Sequence, residues 1–386
     1  MRAYLDHAAS TPLRPAVLEA MLPWLTTEPG NPSGSHGAAR RARRAIDDAR
    51  DAVAALAGAR PGEVIFTSGG TEADNLAVFG TVGTLGALGT VAVGQSPASG
   101  ASPPPGAPLV LAAAVEHHAV IESVERVGGE LVGVDRCGRI ALDDLRERLG
   151  RSGPGGGGIV SVQLVNNETG VVQPLAAVAD LVRSRRGDVA LHTDAVQAGT
   201  WLDVAAAVAD FDLVSLSAHK IGGPKGVGAL IARAGTGLEA QLVGGGQERG
   251  LRSGTQNVAG IVGFGAATAE VVATRAATLE RVGRLRARLL DGLTAALPGR
   301  WRLTVAAELD VVEAVEVVEG IVNLCFPGVE SEALLFLVDE AGLCASAGAS
   351  CASGAVSLSH VLAAMGVDPE DGRGAVRLSL GWSTTP

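Results

Sequence analysis

An α/β fold built on a largely parallel sheet, followed by a smaller α+β domain, is the architecture this sequence predicts. Three observations predict it. Short runs rich in Val, Ile, Leu and Ala recur through the first part of the chain with little alternation, the pattern of strands buried on both faces. Stretches with helical spacing separate them, which is the rhythm of parallel sheets. After about residue 258 the pattern changes to one long helix followed by mixed short elements.

In chain order, helices are predicted over His36–Leu56 and Thr71–Val82. The predicted strands are Val64–Thr67, Leu109–Ala113, Leu131–Val134, Ile159–Val165, Ala190–Thr193, Leu213–Leu216 and Gly228–Ile231. Gly94–Pro108 (GQSPASGASPPPGAP) has no side chains from which to build a core and reads as a surface loop. Arg151–Gly158 reads as a glycine-rich connector. The second domain opens with a long helix, Ala259–Leu297, then a strand at Gly320–Cys325, a helix at Ser331–Ala341 and a last strand at Ala375–Leu380. Tyr4-Leu5-Asp6 is too short to pack alone, so the first dozen residues are assigned to this domain. The division is residues 13–258 as the large domain and 1–12 with 259–386 as the small one.

Composition narrows the function. The 386 residues are 47% hydrophobic with mean hydropathy +0.29, yet no charge-free apolar run reaches the roughly 18 residues of a membrane span. The opening MRAYLDHAAS lacks the apolar centre of a signal peptide, so a cytoplasmic protein without a membrane partner is expected. A net charge of −10 argues against direct binding of nucleic-acid phosphate. The four cysteines, Cys137, Cys325, Cys344 and Cys351, form no CxxC, which favours a free thiol over a disulfide framework or a metal site.

Of 31 Lys and Arg residues only two are lysine, Lys220 and Lys225, in SLSAHKIGGPKG. Lysine persists in such a chain where arginine cannot serve, and the plainest such role is an amine that forms a Schiff base. Upstream, the strand at Val64 runs into Gly69, Gly70 and Thr71 and then a helix. Free N–H groups there favour an anion such as a phosphate, although tight turns of this composition also serve purely structural ends. Asp194 and Lys220 lie 26 residues apart, each following a buried strand. Ligands of open α/β sheets collect at that end, and pyridoxal phosphate (PLP) needs one lysine and one carboxylate against its ring nitrogen. Taken singly, Asp194 is also a reasonable helix cap and His219 a reasonable structural histidine.

The motifs YLDHAASTP, GNPSGSH, VIFTSGGTEADN, EHHAV, VNNETGVVQP, HTDAVQ, SLSAHKIGGPKGVGAL, GGGQERGLRSGT, SAGASCASG and VRLSLG run nearly end to end. Through them the chain resembles the cysteine desulfurases of the NifS/IscS type. These are PLP-dependent transferases of the aspartate aminotransferase-like fold, within the class V aminotransferase-like group. The resemblance implies a Schiff-base lysine at Lys220, a ring-nitrogen partner at Asp194 and a stacking, proton-shuttling histidine at His117. It implies ring-hydroxyl partners at Asn167 and Gln197, and a phosphate cradle of Gly70, Thr71, Ser217 and His219. Thr255 matches a residue that reaches the partner subunit's phosphate, so a homodimer is implied. Arg377 matches the clamp on the substrate carboxylate, with Asn31 near it.

Cys351 separates this activity from its neighbours. It lies in a run of small residues from Ala345 to Gly354, whereas a structural cysteine would have bulky apolar neighbours. Cys137, Cys325 and Cys344 have strand-like or apolar settings and read as structural. The resemblance makes Cys351 the residue that takes sulfur from L-cysteine, leaves alanine and passes the sulfur to an acceptor protein. A selenocysteine lyase or an aminotransferase on the same scaffold is the alternative. The chain departs from the pattern at Gly94–Pro108 and ends nine residues after Arg377, where relatives usually continue. Docking of an acceptor through a C-terminal segment is therefore left open.

Overall fold

The computed structural model describes residues 2–86, 107–151, 157–305, 315–347 and 358–386. Cys351, nearly all of the Gly94–Pro108 stretch and the middle of the glycine-rich connector lie outside the described residues.

A short strand β1 (Ala3–Tyr4) precedes α1 (Pro15–Thr26) and α2 (Gly37–Leu56). Then β2 (Val64–Thr67), α3 (Gly70–Thr84), β3 (Leu109–Ala113), α4 (His118–Arg126), β4 (Glu130–Val132) and α5 (Leu142–Arg151) follow. Next come β5 (Gly158–Ser161), α6 (Leu175–Arg185), β6 (Val189–Asp194), α7 (Val204–Ala207), β7 (Leu213–Ser217) and β8 (Gly228–Ala232). These strands form one sheet in the order β2-β8-β7-β6-β5-β3-β4. All of its neighbouring pairs are parallel except those made by β8, which runs against both β7 and β2. Every residue of β2, β3, β5, β7 and β8 is buried, which is why their sequences carry no alternation. Each fully buried aliphatic side chain contributes about 1.5–3 kcal/mol.

The predicted elements match closely, with two informative differences. The run predicted as a strand to Val165 leaves the sheet after Ser161. The amides of Val162 and Leu164 still bond the carbonyls of His192 and Asp194, but the chain then turns at Asn166, whose side chain accepts from the amides of Glu168 and Thr169. The strand predicted to Val134 ends at Val132, and Val134 instead bridges Ile140.

Beyond the sheet, α8 (Val258–Ala296) lies across α1 and α2. By length and apolarity it could cross a membrane, but its first half is buried, with Ile261, Phe264, Ala267 and Val271 in the core. A Cβ at Gly265 would lie 2.7 Å from the Ala49 Cα, so only glycine allows α2 and α8 to approach this closely. The remaining elements are β9 (Arg302–Leu303), β10 (Ile321–Cys325), α9 (Ser331–Glu340), β11 (Leu343–Cys344), α10 (His360–Ala364), α11 (Pro369–Gly372) and β12 (Ala375–Ser379). A small antiparallel sheet runs β12-β10-β9, and β1 pairs in parallel with β11. Asp6 bridges Ser379, so the N-terminal segment and β12 meet beside the carboxyl ends of the large sheet's parallel strands.

Candidate active site

Strands β3, β5, β6 and β7 run in one direction, and their carboxyl ends deliver four segments to one edge. Asp194 ends β6, and β7 runs directly into a single 3₁₀ turn, Ala218–Lys220. Asp194 is opposite Ser215 in the β6–β7 register. Its Oδ1 accepts the Val196 amide at 2.9 Å. Burial pushes the Asp194 acid up, while His117, the Val196 amide and Lys220 pull it back. Lys220 Nζ donates to the carbonyls of Ala8 and Ala9, the latter at 3.1 Å. Burial first, then the Arg377 guanidinium, pushes its amine down to about 8.

Of the residues expected to cradle an anion, Gly70 and Ser217 meet at the start of α3. Gly69 leaves the N-terminus of α3 without a side-chain cap, so the first-turn amides are available. A Cβ at Gly70 would lie 2.7 Å from the Val196 side chain and 3.7 Å from the Ser217 Cβ, which shows how tightly the helix start sits against the ends of β6 and β7. Ser217 is buried and its Oγ has no hydrogen-bond partner. Thr71 is exposed at the same helix end. His219 bonds Ser10 Oγ through Nδ1 at 3.2 Å. Burial, with Lys220 and Lys225, pushes it down to about 4, so it presents a neutral ring.

On the other side, His117 caps α4 and its Nδ1 accepts the Ala119 amide at 3.1 Å. That bond makes Nε2 the protonated nitrogen of the neutral ring. Although solvent reaches part of the ring, crowding by protein atoms holds its pKa below the usual range, against the raising effect of Asp194. Gln197 is buried with an unpartnered Oε1. The Asn167 carbonyl accepts Arg377 Nη1 at 2.9 Å.

Arg377 reaches this edge from β12. It is 3% exposed, donates through Nη2 to Asp6 Oδ1 at 2.8 Å, and has an unpartnered buried Nε. Asp6 therefore holds the guanidinium from the far end of the chain, 371 positions away. Sequence reasoning assigned no role to Asp6, nor to the Ala8 and Ala9 carbonyls, although all three lie within the YLDHAASTP motif. Equally unassigned were three wholly buried groups behind the site, Asp74, Glu116 and His192.

Two expected residues stand apart. Asn31 is exposed and its Oδ1 caps the Ser33 amide; no described contact joins it to Arg377. Thr255 is exposed and, among the described residues, has no hydrogen bond to the cluster around Lys220. The next residue in the chain, Gln256, lines a separate cavity of about 400 Å³ together with residues including Arg50, Gly246, Glu248 and Arg249. Cys351 lies outside the described residues. The other cysteines are all free; burial pushes the thiols of Cys137 and Cys325 up, which makes both poor nucleophiles.

A lysine and a buried carboxylate at the ends of adjacent strands, next to an uncapped helix start, define a class: an enzyme of the α/β, PLP-dependent transferase kind. The sequence matches the family described as Aminotransferase class-V over residues 3–386, and the chain belongs to that family. It is 36% identical to cysteine desulfurase IscS of Dictyoglomus turgidum, over 99% of this chain and 90% of that one. A solved structure described as a NifS-like protein superposes with a TM-score of 0.85 at 30% identity, covering 100% of this chain and 95% of the other. SspA in complex with cysteine superposes with a TM-score of 0.78 at 29% identity, covering 98% and 99%.

Proposed function

We propose that this chain is a PLP-dependent cysteine desulfurase that converts L-cysteine to L-alanine and holds the sulfur as a persulfide on Cys351. The observation that carries the cofactor assignment is the set of polar groups lacking protein partners around Lys220 and Asp194. Ser217 Oγ, Gln197 Oε1 and the uncapped α3 amides all face one edge of the sheet, and a buried polar atom left unpaired is costly. These groups fit PLP. Gly70, Thr71, Ser217 and His219 would hold its phosphate, Asp194 its ring nitrogen, Asn167 and Gln197 its hydroxyl, His117 its face and Lys220 its aldehyde carbon. When bound, the cofactor supplies an electron sink for the bonds around the substrate's α-carbon.

The chain's own residues do the rest. Arg377, held in place by Asp6 and the Asn167 carbonyl, offers its planar guanidinium to the substrate carboxylate. The Lys220 amine, pushed down to about 8, can take the α-proton near neutral pH. The Cys351 thiolate attacks the substrate sulfur. The S–Cβ bond breaks with its electron pair on the carbon fragment, which gains a proton and leaves as alanine, while an S–S bond forms on Cys351. Cysteine and enzyme thiol thus become alanine and enzyme persulfide, with no external oxidant or reductant. Relatives named as cysteine desulfurases and a neighbour solved with cysteine support this choice of substrate. Assay of alanine and bound sulfur from L-cysteine tests it. Release of selenium from selenocysteine alone, or transfer of the amino group to a keto acid, would favour the related lyase or aminotransferase. The sulfur leaves to an acceptor protein.

The lowered amine has its own consequence. Mixing apo-protein with PLP should give a covalent capture rate that rises about tenfold per pH unit below the amine's pKa of about 8 and then levels. A rate still climbing at pH of about 10, where an ordinary lysine titrates, would show an unperturbed amine.

A homodimer completes the proposal. Thr255 is exposed, and Leu18, Leu22 and Leu25 leave an apolar stripe exposed on α1. Light scattering should give twice 38.7 kDa. A fully active monomer on dilution would refute it.

A further inference from the structure

Behind Asp194 lies a group of polar side chains closed off from solvent. His192 sits two residues earlier on β6, on the same face of the sheet. Its Nδ1 bonds Ser161 Oγ of β5 at 2.8 Å and its Nε2 bonds Ser215 Oγ of β7 at 3.0 Å. Asp74, from the second turn of α3, points down onto this pair, its Oδ1 3.7 Å from His192 Nε2. His192, Ser161 and Ser215 are fully buried and Asp74 is 1% exposed. The Asp74 Oδ1 has no hydrogen-bond partner, and no described lysine or arginine pairs with it. The titratable groups facing Asp74 are His192, Asp194 and Glu116.

Two neighbouring buried carboxyls cannot both ionise without a cation between them. Asp194 has the Val196 amide, His117 and Lys220 on its side. Asp74 has only hydroxyls and an imidazole that burial pushes down to about 3, hence neutral. We propose that Asp74, His192, Ser161 and Ser215 form a neutral, proton-holding brace in which Asp74 is a carboxylic acid, so that of the neighbouring pair Asp74 and Asp194 only Asp194 is ionised. Asp74 is a positioning residue: it keeps charge where the pyridine nitrogen needs it and fixes the end of β6. Burial and the Asp194 charge both raise the Asp74 acid, in keeping with this arrangement. The brace rests on the proposed function for its purpose, but its protonation state belongs to the apo-protein.

The test therefore uses apo-protein. Asp74→Asn mimics the neutral acid. Because the folded acid is raised, the folded parent keeps a proton that the unfolded chain, with an ordinary aspartate of about 3.9, releases. The parent then loses stability as pH rises above about 4, whereas D74N does not. Denaturant titrations from pH 5 to 8 should show the folded-to-unfolded ratio of D74N gaining on the parent by up to about tenfold per pH unit. The infrared spectrum of the parent at neutral pH should contain a protonated-carboxyl band that weakens in D74N, where the buried Glu116 acid remains. A gap that is constant or shrinks as pH rises, a D74N chain that does not fold, or no change in that band overturns the brace. Neither measurement involves cysteine turnover: a chain without desulfurase activity but with a growing gap would sink the function and keep the brace.

Discussion

Lys220→Arg is expected to abolish turnover and to leave the protein without the absorbance of covalently attached cofactor. The substitution keeps the positive charge, and a guanidinium can still donate to the Ala8 and Ala9 carbonyls that hold the amine now. What it removes is the capacity to lose a proton. Arginine stays charged at any working pH, whereas the Lys220 amine is pushed down to about 8. Capture of the aldehyde and transfer of the α-proton both need the neutral nitrogen, so one change removes two functions. The loss should reach at least about 10⁴-fold, the scale seen when a reacting group is deleted. Lys225, exposed and five residues on, is the control, and Lys225→Arg should behave as the parent does. Retained absorbance in Lys220→Arg together with its loss in Lys225→Arg would move the cofactor to the second lysine.

Cys351→Ser is expected to stop alanine formation and sulfur transfer while leaving cofactor binding intact. Every group assigned to PLP lies on the large sheet's edge, and none is Cys351. A hydroxyl at this position is a far poorer nucleophile toward sulfur, because the thiolate is the attacking species. The readout is twofold: an unchanged cofactor spectrum, and alanine below about 1% of the parental yield, a loss in the range of a removed nucleophile. Serine at Cys137 or Cys325 should instead act on stability, by about 1–3 kcal/mol, since both are buried. Parental alanine production by Cys351→Ser would remove Cys351 from the mechanism. If in addition no other cysteine proved essential, the desulfurase reading would give way to the lyase or aminotransferase.

Much of the fold was legible because the signals are local. Strands such as Leu213–Ser217, buried along their whole length, announce themselves by unbroken apolar sequence. The length of α8 was readable from its helical spacing alone. Boundaries were less so: the run after Ser161 looks like strand because Val162 and Leu164 keep their hydrogen bonds to β6 carbonyls while the chain is already turning toward Asn166. Lys220 and Asp194 could be singled out because one follows a buried strand and the other ends one, and each has the chemistry a PLP site needs. Asp6 was passed over because an acid in YLDHAASTP has no local reason to matter; its reason is Arg377, at the other end of the chain.

By itself, then, the sequence determined the order of elements and the class of chemistry, and it singled out Lys220 and Cys351 by side-chain type as the residues on which the proposed activity rests. Those properties reside in single residues and short periodic segments. Only the tertiary structure decided what each ionisable group carries. The fall of Lys220 to about 8 follows from burial and from Arg377 arriving on β12. The neutrality of His192 follows from its enclosure between Ser161 and Ser215 on flanking strands. Protonation depends on desolvation and on charges a few ångströms away, and packing brings those neighbours from anywhere in the chain.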